Sequence, residues 1–308
     1  MLFCDFIQNK TKFIEKEFEF KIDPPSNKSK KQAFYVKLDA LLNAESQKWL
    51  EDKRPRLGDN HDLQDIIQGT TIGIAGIYYY VGIIIQGLHV EGRLDRKETT
   101  RVYIGGNGSQ IFHWLSNSGR FDSNCEIDKL FRQMLSKGSG FPDKAKRPTR
   151  LSSQPKAEVA CGLVADQKET KLKRLDYDED EDNKIVFSGE ECCVNEEEDN
   201  PFDAYLRLKL PEKVKKIEVK ELSKLKNFLD DFHESLTELR IRSIKPLAEY
   251  KDKDSSDLES FWKGVETKLE EELSRMKGDI QDIRVEPPFI LGLKSLLHVI
   301  GEKYHGKK

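Results

Sequence analysis

The chain has 308 residues, of which 37% are hydrophobic and 35% are charged, and its formal net charge is −3. This length allows one large domain or two smaller ones, and the hydrophobic fraction is sufficient for a folded core. The basic residues between 137 and 156 are offset by an acidic stretch at 176–199, and this balance argues against a dedicated nucleic-acid binder.

The cysteines and the first residues indicate a cytoplasmic protein. Five cysteines are present, no two of them have CxxC spacing, and the number is odd, which fits a reducing compartment. Cys192 and Cys193 are interpreted as free thiols in a polar loop, with a strained vicinal disulfide as the alternative. The first six residues, MLFCDF, have no basic region, so no signal peptide is expected.

The N-terminal part alternates predicted helices and a strand. Apolar periodicity predicts a short amphipathic helix at 2–17 and a half-buried strand at 17–22. A loop rich in proline, serine and lysine follows at 24–31, and 33–50 has the pattern of a second helix. The polar residues 54–60 end that helix.

The stretch from Thr70 to Val90 carries no charged residue. Its length approaches that of a transmembrane helix. Four glycines, a mid-segment run of three tyrosines and the absence of a second hydrophobic segment favour a buried central helix instead. A membrane-anchored protein remains the alternative.

A short β-branched strand is predicted from Thr99 to Ile104, and residues 100–104 are expected in the interior of a mixed sheet with the helix at 70–89 packed on it. The strand leads into Gly105, Gly106, Asn107 and Gly108, and Ser109 can cap a helix that runs to Leu115. Further along, the patterns predict a helix at 126–135, a basic loop at 138–153, a helix at 156–165 and a strand at 185–187.

After Pro201 the sequence becomes a series of amphipathic helices. Apolar residues recur at spacings of three and four from Leu222 to Leu239 and again from Trp262 to Met276. A last helix follows Pro287 and Pro288. An acidic, low-complexity linker at 191–201 separates this region from the rest of the chain.

The glycine turn is suited to holding a nucleotide, because a residue without a Cβ lets the backbone approach a ribose closely. The expected helix start at Ser109 would direct N–H groups to the same place. An Asn–Gly turn also occurs in ordinary loops, so the motif alone is weak evidence. Its context is stronger, because an apolar helix and a strand precede it and Pro155 with Val159-Ala160-Cys161-Gly162 follows it.

In this order of elements, residues 63–165 resemble the C-terminal lobe of the actin-like and heat-shock-chaperone-like ATPases. Val102-Tyr103-Ile104-Gly105-Gly106 is similar to the adenosine motif of that superfamily. The resemblance implies that Gly105 and Gly106 lie against the nucleoside, with Asn107, Gly108 and Ser109 near the adenine or ribose. Residues 74–77 would then match the second connecting helix, although close packing of a buried helix explains the small residues equally well.

The chain departs from the superfamily in its phosphate loops. The family holds Mg²⁺ through aspartates that are followed by glycines, and no such element precedes residue 63. The chain therefore looks truncated, split or degenerate, and no significant ATPase activity is expected. Other catalytic and metal-binding motifs were not found, and His113 is interpreted as a packed helix residue.

The sequence thus predicts an α/β fold, namely a partial ribonuclease-H-like lobe at 1–190, the acidic linker at 191–201 and a helical appendage at 202–308. The expected function is ATP or ADP binding in a catalytically incomplete lobe, with Mg²⁺ only if a missing lobe supplies its ligands. A protein partner or that N-terminal lobe is expected, without nucleic acid or membrane. The alternative is a non-enzymatic helical interaction protein.

Overall fold

The computed structural model describes residues 16, 50–52, 54–55, 61–95, 102–122, 125–143, 149–152, 185–194, 208–209, 216–241, 255–276 and 280–305. Helices account for most of these residues, and the strands are short. The chain divides into two compact units. The first comprises Met1–Ile72, Arg101–Lys129 and Lys146–Ala165, and the second comprises Gly73–Thr100, Leu130–Ala145 and Asp166–Lys308.

Helix α1 spans His61–Val90 and contains the uncharged run. The prediction of a buried helix is confirmed for most of its side chains, since Ile72, Ala75 and Ile83 are fully buried. By length and composition, Ile67–Val90 is also apolar enough to cross a membrane, and 56% of that window is buried inside the protein. The expectation that no membrane is involved stays a prediction.

Within the second unit, α1 crosses helix α3 (Glu126–Ser139) with the two backbones close together. A Cβ added at Gly82 would lie 2.5 Å from the carbonyl oxygen of Leu135, and one added at Gly138 would meet the carbonyl oxygen of Tyr79. Glycine on both sides of the crossing is therefore a packing requirement. At Gly76 of α1 an added Cβ would lie 2.5 Å from the end of the Leu293 side chain and not from a backbone atom.

Aromatic side chains fill the core around this crossing. Tyr78 stacks on Phe131 of α3 with ring centroids 5.2 Å apart. Tyr80 stacks on Phe289 at 5.6 Å, and Tyr79 lies 5.5 Å from Phe228. The three tyrosines thus have partners on three different helices, which explains why they occur in the middle of the apolar run.

The C-terminal region contains helices α4 (Ser223–Glu238), α5 (Ser255–Arg275), α6 (Ile280–Val285) and α7 (Pro288–His305). The three long helices were predicted from their apolar periodicity, whereas α6 was not. Helix α7 packs against both α4 and α5. Their buried faces include Phe228, Phe232, Phe261, Val265, Leu296 and Leu297.

Two antiparallel strand pairs also belong to the second unit. Strand β3 (Ile185–Val186) pairs with β5 (Leu208–Lys209), and β4 (Glu191–Val194) pairs with β6 (Ile217–Glu221). One apolar cluster joins them, consisting of Val186, Cys192, Leu208, Ile217 and Ile283.

Strand β4 lies where the sequence predicted the start of an acidic linker and a polar loop that contains Cys192 and Cys193. Residues 191–194 form β4, and Cys192 belongs to the apolar cluster, where it is fully buried, forms no disulfide and donates from Sγ to the Glu190 carbonyl at 3.3 Å. Residues 195–201 lie outside the described residues. Strands β5 and β6 also interrupt what was expected to be an all-helical appendage.

In the first unit, β1 (Tyr103–Ile104) pairs with β2 (Arg150–Leu151) in parallel. Strand β2 lies within the stretch that was predicted to be a loop. The expectation that β1 lies inside a larger mixed sheet is wrong for the described residues, since β2 is its one strand neighbour there and Tyr103 is 65% exposed. The predicted elements at 2–17, 17–22, 33–50 and 156–165 fall outside the described residues, apart from Lys16 and Leu50, which are both helical.

Candidate functional site

The candidate site begins at the carboxyl ends of the parallel strands. The Arg150 N–H donates to the Val102 carbonyl at 3.0 Å, and the Ser152 N–H donates to the Ile104 carbonyl at 2.9 Å. Parallel strands need a long crossover connection, and here it contains a 3-10 helix at Asn107–Gln110, α2 (Ile111–Leu115) and α3. The predicted order of strand, glycine turn and helix is therefore confirmed.

The turn after β1 takes a backbone conformation that favours glycine. Gly106 has φ 75° and ψ 164°, a combination that is essentially restricted to glycine. The Ser109 N–H donates to the Gly106 carbonyl at 3.0 Å and closes the turn. A Cβ added at Gly106 or Gly108 would meet no atom within 4 Å, so the space beside both glycines is open.

Ser109 does not cap a helix as predicted. The 3-10 helix begins at Asn107 with Gly106 as its N-cap, so Ser109 already lies inside it and its N–H is occupied. The Ser109 side chain is 1% exposed, and within the described part of the chain its hydroxyl has no hydrogen-bond partner. Asn107 begins the same helix, and its side chain lies outside the described residues. Of the glycines in the predicted site, Gly105 and Gly108 are exposed and Gly106 is half-buried.

Of the other residues on which the resemblance depends, the structure describes those in α1 but not those around Pro155. The small residues expected in the connecting helix lie in α1, where the contacts of Gly76 show close packing. The segment Pro155 to Gly162, which carries the second half of the resemblance, is outside the described residues. The glycine turn is therefore the portion of the predicted site that the structure describes.

Two basic side chains lie near the end of α2. His113 accepts a hydrogen bond at Nδ1 from the Phe121 N–H at 3.0 Å, and burial lowers its pKa. It is thus a packed residue, as the sequence suggested.

Arg54, expected in a polar loop, is fully buried, and its Nε donates to the Trp114 carbonyl at 2.9 Å. Burial lowers its pKa to about 10. A cation at the carboxyl end of a helix is favourable, so Arg54 has a structural role.

A buried carboxylate in the second unit was not predicted. Glu190 is fully buried, and its two oxygens accept the N–H groups of Leu225 at 2.6 Å and Lys224 at 3.0 Å. These N–H groups belong to the first turn of α4, where a helix provides no acceptor of its own, and the N-cap residue Leu222 makes no side-chain cap. Burial raises the Glu190 pKa to about 8, while the hydrogen bonds from Lys224 and Leu225 oppose that rise.

The segment before Glu190 is equally constrained. Gly189 has φ 75°, and an added Cβ would lie 2.5 Å from the Phe289 side chain. The Tyr80 hydroxyl donates to the Phe187 carbonyl, and the Phe289 N–H donates to the Ser188 carbonyl at 3.0 Å. Residues 187–190 therefore tie α1, α4 and α7 together, which identifies Glu190 as part of the core.

A surface groove of about 540 Å³ lies between α5 and α7, and its lining includes Lys263, Thr267, Glu271 and Val299. It belongs to the second unit and does not include the glycine turn. No group of three or more histidine, cysteine, aspartate or glutamate side chains among the described residues has an arrangement that would hold a metal ion.

Comparison of the whole chain with protein-family models, with curated proteins and with solved structures finds no match.

Proposed function

We propose that this chain binds the adenosine part of ATP or ADP through the turn from Gly105 to Ser109. In this proposal it is the nucleotide-binding lobe of an actin-like or chaperone-like ATPase, and it is catalytically incomplete as a single chain. Phosphate contacts and the Mg²⁺ ligands would come from another lobe or from a protein partner, in the cytoplasm. Hydrolysis by the 308-residue chain alone is not part of the proposal.

One observation carries the proposal, namely that the glycine turn lies at the carboxyl end of a strand in a parallel pair, with open space beside Gly106 and Gly108. In α/β folds, ligands bind outside the carboxyl ends of parallel strands. Glycine at this edge admits a sugar to the backbone because no Cβ intervenes. The other expectation, a non-enzymatic helical interaction protein, stays a prediction.

The most informative variant is Gly108→Ala. A substitution at Gly106 would be harder to interpret, because backbone strain at that position would change stability as well as nucleotide binding. An alanine at Gly106 would strain the backbone whether or not a ligand binds. Gly108 is outside the left-handed region, so its added Cβ would occupy the open space without strain. We expect Gly108→Ala to weaken nucleotide binding about tenfold or more, equivalent to about 1.4 kcal/mol.

Calorimetric titration of the full chain with ATP and with ADP tests this expectation. Gly301→Ala is the matched control, because its added Cβ also meets nothing within 4 Å but lies in α7. Thermal melts of both variants establish that they are folded. An absence of adenine-nucleotide binding by the wild-type chain, or equal affinity in the wild type and Gly108→Ala, would refute the proposal and leave the interaction-protein hypothesis in front.

A further inference from the structure

The strand pair β1–β2 has two faces of different character. Tyr103 is the register partner of Arg150, and Ile104 is the partner of Leu151. Neighbouring strands lie about 4.8 Å apart, and paired residues of two strands point to the same face. Tyr103 and Arg150 are therefore adjacent on one face and are both exposed, whereas Ile104 and Leu151 are half-buried on the other.

An exposed tyrosine is unusual at this place. Parallel sheets are normally covered on both faces, and large aromatic side chains are usually buried to a large extent. Tyr103 is 65% exposed, and it is the one aromatic residue among the exposed large hydrophobic side chains of the described chain. The others in that set are aliphatic: Ile77, Val81, Val90, Leu258 and Val285.

We propose that the Tyr103 ring and the Arg150 guanidinium form the surface on which the purine base of the nucleotide stacks. This inference rests on the proposed function and specifies how the same site selects its ligand. With a rise of about 3.3 Å per residue, the Cα atoms of Tyr103 and Gly105 are about 7 Å apart, which is within the length of a nucleoside. The ribose would then lie beside the glycine turn while the base extends over the exposed face.

The two side-chain types suit this role for physical reasons. An aromatic ring stacks on the π-face of a base, and alanine substitution of such a ring typically weakens binding about fivefold to a hundredfold. A planar guanidinium also stacks, which a lysine ammonium cannot do. Because stacking grows with ring area, a purine nucleotide should bind more tightly than a pyrimidine nucleotide of the same charge.

The experiment titrates the full chain with ATP and with CTP, comparing the wild type with Tyr103→Ala, Tyr103→Phe and Arg150→Lys. We expect about tenfold or greater weakening of ATP binding in Tyr103→Ala, near-wild-type affinity in Tyr103→Phe, and an intermediate loss in Arg150→Lys. The preference for ATP over CTP should shrink in Tyr103→Ala. Val285→Ala, which truncates an exposed side chain elsewhere, is the control.

The outcomes separate this inference from the proposed function. If the wild-type chain binds no nucleotide, both fail. If Gly108→Ala weakens ATP binding but Tyr103→Ala does not, nucleotide binding stands and stacking on Tyr103 is refuted. Equal losses in Tyr103→Ala and Tyr103→Phe would also overturn the inference, because they would assign the interaction to the hydroxyl rather than the ring.

Discussion

Replacing Glu190 by glutamine should change how the stability of the protein depends on pH. In the folded chain this fully buried carboxylate has a pKa that burial raises to about 8, from an ordinary value of 4.5. Between those two values the unfolded chain is ionised at Glu190 while the folded chain keeps the proton. The unfolded state then binds fewer protons, so wild-type stability falls as the pH rises from about 4.5 to about 8.

The magnitude follows from the structure. Each unit of pKa difference corresponds to about 1.4 kcal/mol of unfolding free energy, so the unfolding free energy of the wild type should fall by about that amount per pH unit inside the window. Glutamine does not titrate. Its amide oxygen can still accept the Leu225 N–H, but its amide nitrogen faces the Lys224 N–H and loses that bond, at a cost of about 1 kcal/mol. Glu190→Gln should therefore be less stable than the wild type at pH 5 and should equal or exceed it near pH 8.

Urea denaturation followed by far-ultraviolet circular dichroism at pH 5, 6, 7 and 8 measures this difference. Glu221→Gln, the same substitution at an exposed position, accounts for the loss of a surface charge. A constant stability difference between the wild type and Glu190→Gln from pH 5 to pH 8 would refute the reasoning. It would mean that the two N–H groups and the positive end of α4 outweigh burial and keep the carboxylate ionised.

Two further predictions concern packing and buried charge. Gly138→Ala should lower the unfolding free energy by about 1–3 kcal/mol, because its Cβ would meet the α1 backbone at Tyr79. The control variant Gly301→Ala should leave the unfolding free energy unchanged or raise it slightly. Equal melting temperatures for the two variants would contradict this prediction. The unfolding free energy of Arg54→Met, measured by urea denaturation, should lie within about 1 kcal/mol of the wild-type value. Methionine fills the space of the buried aliphatic part of Arg54 and removes a charge that has no carboxylate partner among the described residues. Arg54→Ala should cost about 3 kcal/mol through the cavity it leaves, and similar losses in both variants would instead assign the stability to the hydrogen bonds.

The elements that the sequence predicted correctly are those whose signal is local. The uncharged run became α1, and the apolar spacings of three and four became α4, α5 and α7. Strand β6 also had a local signal, since Ile217 and Val219 alternate with charged residues, and period-two analysis of that stretch would have found it. Strands β1 and β2 have two residues each, which is too short for any periodicity to indicate both ends.

The features that sequence reasoning missed depend on partners far away in the chain. Nothing in an acidic stretch distinguishes Glu190, which is buried because the Lys224 N–H in the first turn of α4, 34 residues later, needs an acceptor. Arg54 was assigned to a polar loop, and its acceptor, the Trp114 carbonyl, is 60 residues away. Burial of a charged side chain is set by such tertiary contacts, which composition and periodicity do not contain.

The glycine turn shows why a motif match alone does not establish a ligand site. Gly106 is explained by its own backbone, since φ 75° with ψ 164° requires glycine even if nothing ever binds there. Gly108 has no such requirement, and the space beside it is open. The two glycines look alike in sequence, yet only at Gly108 can an alanine substitution test for a bound ligand without disturbing the turn. The case for nucleotide binding therefore depends on Gly108 and on the exposed face beside it, and much less on the Gly–Gly pair that first suggested the resemblance.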